Sequence, residues 1–307
     1  MTHSAPAQDE QQALQYLHPD VLSRLQNLEL VARFIVEGLV IGLHRSPYHG
    51  FSVEFSSYRK YSPGDDLKFL DWRVFARTDR FYIKQFEETT NLNAYLVLDC
   101  SGSMAMADSA GLAKLHYARF LAAGLAYLML GQGDAVSLLC ADPEDMEFLP
   151  PSSRGTQLMT LLGEMTRRSP RGATVLAPAL RLLADRIKSR SLIMVLSDFL
   201  VDLDELRSIL AFFRYRNHEV ILFHVLNDLE REFPFTNVTT FRDLETGRLV
   251  YTEPASIRRE YLRLLGEHVS RLQSVCRDFE IDFVPLTTTE PLGPALLAYL
   301  ARRQAAP

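Results

Sequence analysis

The chain has 307 residues, 47% of them hydrophobic and 23% charged, a formal net charge of −5 and a pI near 5.9. This is an ordinary soluble composition with enough apolar residues for a real core, and its acidic balance argues against a protein that coats nucleic acid. Cys100, Cys140 and Cys276 are scattered and form no CxxC pair, which fits a reducing compartment and disfavours a disulfide framework or a thiolate zinc site.

The first twenty residues, MTHSAPAQDEQQALQYLHPD, have no basic stretch followed by an apolar one, so no signal peptide is expected. Residues 1–12 are polar and are expected to form a disordered tail. From Pro19 to about Gly42, Leu22, Leu25, Leu28, Val31, Ile35 and Leu39 recur at helical spacing and predict one or two amphipathic helices. Residues 44–90 are aromatic and strand-prone, are broken by the turn signal Pro63-Gly64, and carry nearly balanced charge. Residues 13–91 therefore read as N-terminal helices with a strand-rich segment, and residues 92–303 as a second domain.

In that second domain apolar runs alternate with helical stretches, the signature of an α/β fold with a mostly parallel central sheet flanked by helices. Strands are expected at 94–99, 134–141, 191–197, 219–225 and 281–285. Helices are expected at 112–130, 154–167, 176–188, 203–215, 255–279 and 292–302. The stretch VTTFRDLETGRLVYTE reads as a hairpin turning at Glu245 to Gly247. The most apolar window, FLAAGLAYLML, has eleven residues before Gly131 and is too short to cross a bilayer. No membrane insertion is expected, and cytoplasm is the expected location.

One stretch carries chemistry. In AYLVLDCSGSMAMAD an apolar strand ends at Asp99 and is followed by Ser101 and Ser103 at alternate positions. A carboxylate and two hydroxyls so spaced can cap a helix, activate a nucleophile or hold a metal. Ligands of open parallel sheets bind beyond the carboxyl ends of strands. Asp198 stands at another such end, and Thr174 lies in a third polar loop before a helix. These five side chains offer oxygen alone, which suits a hard cation such as magnesium or manganese.

The DxSxS run Asp99, Ser101, Ser103, together with Thr174 and Asp198, resembles the metal-ion-dependent adhesion site of von Willebrand factor A domains. The resemblance implies a Rossmann-like A-type fold. It also implies that Ser101, Ser103 and Thr174 coordinate directly, that Asp99 orients the site through water or hydroxyl contacts, and that Asp198 binds directly or through water. The remaining place would go to a protein partner's Asp or Glu carboxylate. Asp198 is followed by Phe199 where many A domains have Gly.

The upstream segment resembles the signature of the bacterial family called domain of unknown function 58 through Tyr61, Gly64, Asp65, Asp66, Asp71, Trp72, Ala76, Arg77 and Thr78. Members of that family commonly accompany MoxR-type AAA+ ATPases, which implies an adaptor or co-chaperone role beside such an ATPase.

Each feature has a plainer reading. Asp99, Ser101 and Ser103 fit a helix N-cap loop of small turning residues, Thr174 fits a helix cap, and Asp198 fits the cap of the helix near Asp202. Arg73, Arg77 and Arg80 with Asp65, Asp66 and Asp71 read as an ion-pair network or a recognition surface, and Trp72 as an anchor. His44 and His49 lack a Cys to complete a zinc set. There is no GxSxG elbow, no GxxxxGK[ST] loop and no GxGxxG after a strand. The expectation is a non-enzymatic metal-dependent binding module with no nucleic-acid partner; the alternative is a magnesium-dependent hydrolase or phosphoryl-transfer enzyme using the same acidic site.

Overall fold

Hydrophobic runs separated by helical stretches become neighbouring strands. The computed structural model describes residues 19–22, 27–44, 58–60, 82–84, 92–293 and 295–296. Two compact units result, one of residues 1–46 with 92–307 and one of residues 47–91. In the smaller unit, β1 (Tyr58–Lys60) pairs antiparallel with β2 (Tyr82–Lys84), Arg59 opposite Ile83. The signature residues Tyr61, Gly64, Asp65, Asp66, Asp71, Trp72, Arg73, Ala76, Arg77, Thr78 and Arg80, with His49, lie outside the described residues.

The larger unit is built on a six-stranded sheet of β3 (Asn93–Asp99), β4 (Ala135–Ala141), β5 (Glu147–Ser152), β6 (Leu192–Ser197), β7 (Glu219–Leu226) and β10 (Asp282–Thr287), in the order β10-β7-β6-β3-β4-β5. All neighbours run parallel except β5, which is antiparallel on β4. β5 is absent from the sequence prediction because EFLPPS reads as a breaker; its two prolines are tolerated on an edge, where an amide need not enter the ladder. The sheet is flanked by helices, as expected for an A-type fold.

Alternation along β3 divides the core. Tyr95 and Val97, with Ile193 and Val195 of β6, join one cluster with residues of α5 (Leu176–Arg186), α6 (Leu203–Tyr215) and α8 (Pro254–Asp278). On the other side α3 (Lys114–Gly131) packs across β3, β4, β6 and β7. It is buried nearly all round, as a central helix must be when a further helix covers it. That cover is α2 (Leu28–His44), preceded by the single turn α1 (Pro19–Leu22). Val31, Ala32, Ile35 and Val36 of α2 are buried, and a Cβ added at Gly124 of α3 would meet Ile35 Cγ2 at 3.1 Å. The helix read from sequence as part of the N-terminal region thus groups with the sheet, because its apolar stripe finds a partner there. α4 (Gln157–Arg167) also packs on α3. Of the helix expected at 292–302, Leu292, Ala295 and Leu296 are buried, and residues 297–302 lie outside the described residues.

β3 sits at the reversal of strand order: the chain steps to β4 on one side and later crosses to β6 on the other. The crevice beyond the carboxyl ends of β3 and β6 is where a doubly wound sheet binds ligands.

Candidate metal-binding site

Asp99 closes β3, and its buried carboxylate is held by neutral donors. Oδ1 accepts from the Ser101 amide at 2.9 Å and Oδ2 from the Ser197 hydroxyl at 2.6 Å. Burial, then the charge of Asp198, pushes the Asp99 carboxyl up to about 6. Ser101 and Ser103 follow on a 3-10 turn (Gly102–Ala105), with their hydroxyls 3.1 Å apart.

Asp198 follows β6 at once. One carboxylate oxygen, Oδ2, accepts from Lys114 Nζ at 2.8 Å, and the other from the Leu200 amide at 3.3 Å. Burial would push this carboxyl up, but the Lys114 ammonium overrides it and holds Asp198 below the usual carboxylate range. Lys114 also donates to Glu230 Oε1 at 2.6 Å and is completely buried. Its two anionic partners overcome desolvation and raise its pKa, while burial outweighs Lys114 at Glu230 and raises that carboxyl.

The turn after Asp198 answers the departure from glycine. Phe199 has φ 52°, the left-handed region that glycine favours, and its ring is fully buried. The backbone shape is kept at a steric cost, and the side chain adds core packing in return. His224 Nε2 lies 3.1 Å from Asp198 O and His268 Nε2 lies 2.9 Å from Phe199 O, so both imidazoles brace this turn.

Thr174 precedes α5. Its loop is tied to the serine turn by backbone bonds, Arg171 N to Cys100 O at 3.0 Å and Gly102 N to Gly172 O at 2.9 Å. Ion pairs anchor the same loop: Arg168 and Arg171 both reach buried Asp142, at 3.4 and 3.0 Å, just past β4. The Thr174 amide donates to Glu245 Oε2 at 3.2 Å, while Thr174 Oγ1 is buried and has no hydrogen-bond partner.

All five predicted residues therefore gather at the crevice. Asp99 and Asp198 lie at the ends of the paired strands β3 and β6 and interact electrostatically, Ser101 and Ser103 share the turn after Asp99, and the Thr174 loop is bonded to that turn through Gly102 N and Gly172 O. Sequence reasoning missed Lys114, Glu230, Ser197 and Glu245. Lys114 did carry a signal: it opens the largely apolar helix KLHYARFLAAGLAYLMLG at the end where the helix dipole disfavours a cation. Glu230 is legible as a capping box with Asn227, the Asn227 side chain accepting from Glu230 N at 2.8 Å. Glu245 gave no signal beyond its turn.

The donor set suits a hard cation. It is oxygen throughout, includes a buried hydroxyl lacking a partner, and holds two carboxylates of which one is poorly neutralised. Among the described residues no three His, Cys, Asp or Glu side chains form a metal-holding group, so hydroxyls must supply part of any shell. Neither Ser101 nor Ser103 hydrogen-bonds to an imidazole among the described residues.

The chain is similar to known proteins in sequence and in fold. An uncharacterized protein of Mycobacterium tuberculosis is 26% identical over 291 residues, covering 93% of this chain and 90% of the relative. The crystal structure of BatB from Bacteroides thetaiotaomicron matches with a TM-score of 0.50 at 16% identity, covering 70% of this chain and 100% of that one. The VWA domain of SpRpn10 matches with a TM-score of 0.41 at 11% identity, covering 68% and 94%. An aerotolerance-related membrane protein from Bacteroides fragilis matches with a TM-score of 0.49 at 16% identity, covering 69% and 99%. Such a neighbour, named as a membrane protein, corrects the expectation of a cytoplasmic location, although no helix among the described residues is long and apolar enough to cross a membrane. The larger unit has a von Willebrand A-like fold, and since the model of the family described as protein of unknown function DUF58 matches residues 57–271, the chain belongs to that family.

Proposed function

We propose that the chain is a non-catalytic, divalent-metal-dependent protein-binding module. Asp99, Ser101, Ser103, Thr174 and Asp198 hold magnesium or manganese, and a partner's Asp or Glu carboxylate completes the oxygen shell. The supporting observation is the Thr174 hydroxyl, buried without a partner beside two hydroxyls and two carboxylates. Leaving a buried hydroxyl unsatisfied costs about 1–3 kcal/mol, and coordination relieves that cost. When bound, the cation supplies a positive point that attracts an external carboxylate. Lys114 pairs with Asp198 and Glu230, whereas Asp99 is held by neutral donors and is the carboxylate that a divalent ion would neutralise.

The role as an adaptor beside a MoxR-type AAA+ ATPase is the finer part of the proposal and rests on the family. No observation favours the hydrolase or phosphoryl-transfer reading. Lys114 is engaged by two buried carboxylates, and His224 and His268 by backbone carbonyls, so none of them faces an incoming phosphate or water.

The test is a calorimetric titration of magnesium and manganese into metal-free protein, with Asp99→Ala as control. Saturable binding of about one ion, lost in the variant, is expected. A wild-type protein that takes up neither ion overturns the proposal. For the partner, a purified MoxR-type ATPase should bind the chain in magnesium and be released by a chelator.

A further inference from the structure

Between β7 and α8 the chain inserts α7 (Asp228–Glu232) and a two-stranded hairpin, β8 (Thr239–Arg242) with β9 (Leu249–Thr252). The hairpin stands apart from the six-stranded sheet; Leu249 and Tyr251 are exposed, and its base is held by an aromatic cluster in which Phe241 of β8 stacks on buried Phe233 at 5.6 Å and meets Phe235 edge-on at 5.2 Å. Its tip is built on hydrogen bonds. Asp243 Oδ1 accepts from the amides of Glu245 and Thr246 at 2.9 and 3.3 Å, and Gly247 N donates to Asp243 O at 2.8 Å.

That tip turns one side chain inward. Leu244 and Thr246 are exposed, whereas Glu245 between them is half-buried at the crevice. Its carboxylate accepts from the Thr174 amide at 3.2 Å, and burial, with the charge of Asp198, raises it above the usual carboxylate range. The backbone seats just as closely: a Cβ placed on Gly102, between the two site serines, would lie 2.3 Å from Leu244 O. A carboxylate on an inserted arm thus contacts Thr174, one of the five proposed ligand residues, and the backbone beside it seats against the turn that carries Ser101 and Ser103.

We infer that Glu245 is the internal ligand of this site: its carboxylate stands where a partner's Asp or Glu would enter, and a partner binds by displacing the hairpin tip. The inference rests on the proposed metal site and adds its regulation. A tethered carboxylate competes at a high effective concentration, so the closed hairpin lowers the apparent affinity for any external carboxylate. An arm anchored at its aromatic base, with exposed strands and a tip hydrogen-bonded within itself, is what such a device needs: the tip leaves and returns in one conformation.

The experiment titrates manganese into wild-type, Glu245→Ala and Glu245→Gln proteins, with and without acetate at tens of millimolar as the external carboxylate. Hydrogen exchange is followed over residues 239–252. In Glu245→Ala, manganese affinity is expected to fall about tenfold, acetate to restore it, and hairpin amides to exchange at least about tenfold faster. Glu245→Gln should show the same loss without rescue, because the amide still fills the place. Wild-type affinity should not respond to acetate. If wild type binds manganese and Glu245→Ala matches it with no acetate effect, the inference is wrong while the metal site stands. If wild type binds no manganese, the metal site itself is wrong and the inference falls with it.

Discussion

Asp99 and Asp198 end neighbouring strands and are equally buried, yet they live in opposite electrostatic conditions. The Asp99 rim offers only neutral donors, the Ser101 amide and the Ser197 hydroxyl, and its carboxyl is pushed up to about 6. The Asp198 rim contains Lys114, and its carboxyl is held low. Burial alone therefore does not set the charge of a site; the nearest cation does. One rim is neutralised by the chain itself and the other is left wanting, which is the asymmetry expected of a site that acquires a cation from solution.

The largest effect should come from removing the built-in cation. Lys114→Met leaves Asp198 and Glu230 buried without their partner and is expected to cost about 3–5 kcal/mol in urea unfolding. Adding Asp198→Asn should recover a good part of that loss, and manganese should raise the melting temperature of Lys114→Met more than that of wild type. Equal stability of Lys114→Met and wild type would mean that the two rims do not differ as described.

A middle-sized effect is expected from pH, where the Asp99 rim opposes His224. Burial lowers the His224 imidazole to about 4, with Asp198, His268 and Lys114 as its charged neighbours. A folded pKa below the ordinary histidine value means stability is lost as pH falls from about 6.5 toward 4. For Asp99 the folded pKa lies above the ordinary aspartate value, so its stability contribution is complete below about 4 and is lost as pH rises through about 6. Each is worth on the order of 2–3 kcal/mol, with opposite sign in one window. His218, lowered by its burial, adds to the histidine side, and Glu230 and Glu245 to the carboxylate side. Melting of metal-free protein between pH 4.5 and 6.5 should thus show His224→Gln gaining stability relative to wild type at the acid end, and Asp99→Asn losing it. Parallel curves for the three proteins would remove the contrast.

The smallest effect tests the hairpin. Gly102→Ala drives a methyl group into Leu244 O and is expected to cost about 1–2 kcal/mol, mainly by lifting the tip. Faster amide exchange confined to residues 239–252 would agree; exchange raised throughout β3 and β6 would place the strain in the sheet instead.

Much of the fold was legible in residues whose pattern is local. Apolar runs at 94–99 and 191–197 announced buried parallel strands, and the spacing of Val31 and Ile35 announced α2. The antiparallel β5 was not, because its prolines contradict strand propensity and only an edge position admits them. Of the site, the DxSxS run could be read because strand and turn lie in one stretch. Phe199 could not be judged, since its sequence does not disclose that it adopts the glycine-like φ 52°.

The sequence by itself determined the alternation of strands and helices, the oxygen-only character of the donor set and the membership of a family with this signature. Those are properties of neighbouring residues, fixed by period and side-chain chemistry. The tertiary structure alone decided which charges meet. Lys114 is 84 residues from Asp198 and 116 from Glu230, and Glu245 is 71 from Thr174. Such pairs have no periodic trace along the chain, because they form only when the strand order brings the ends of β3 and β6 side by side and folds the insertion back over them.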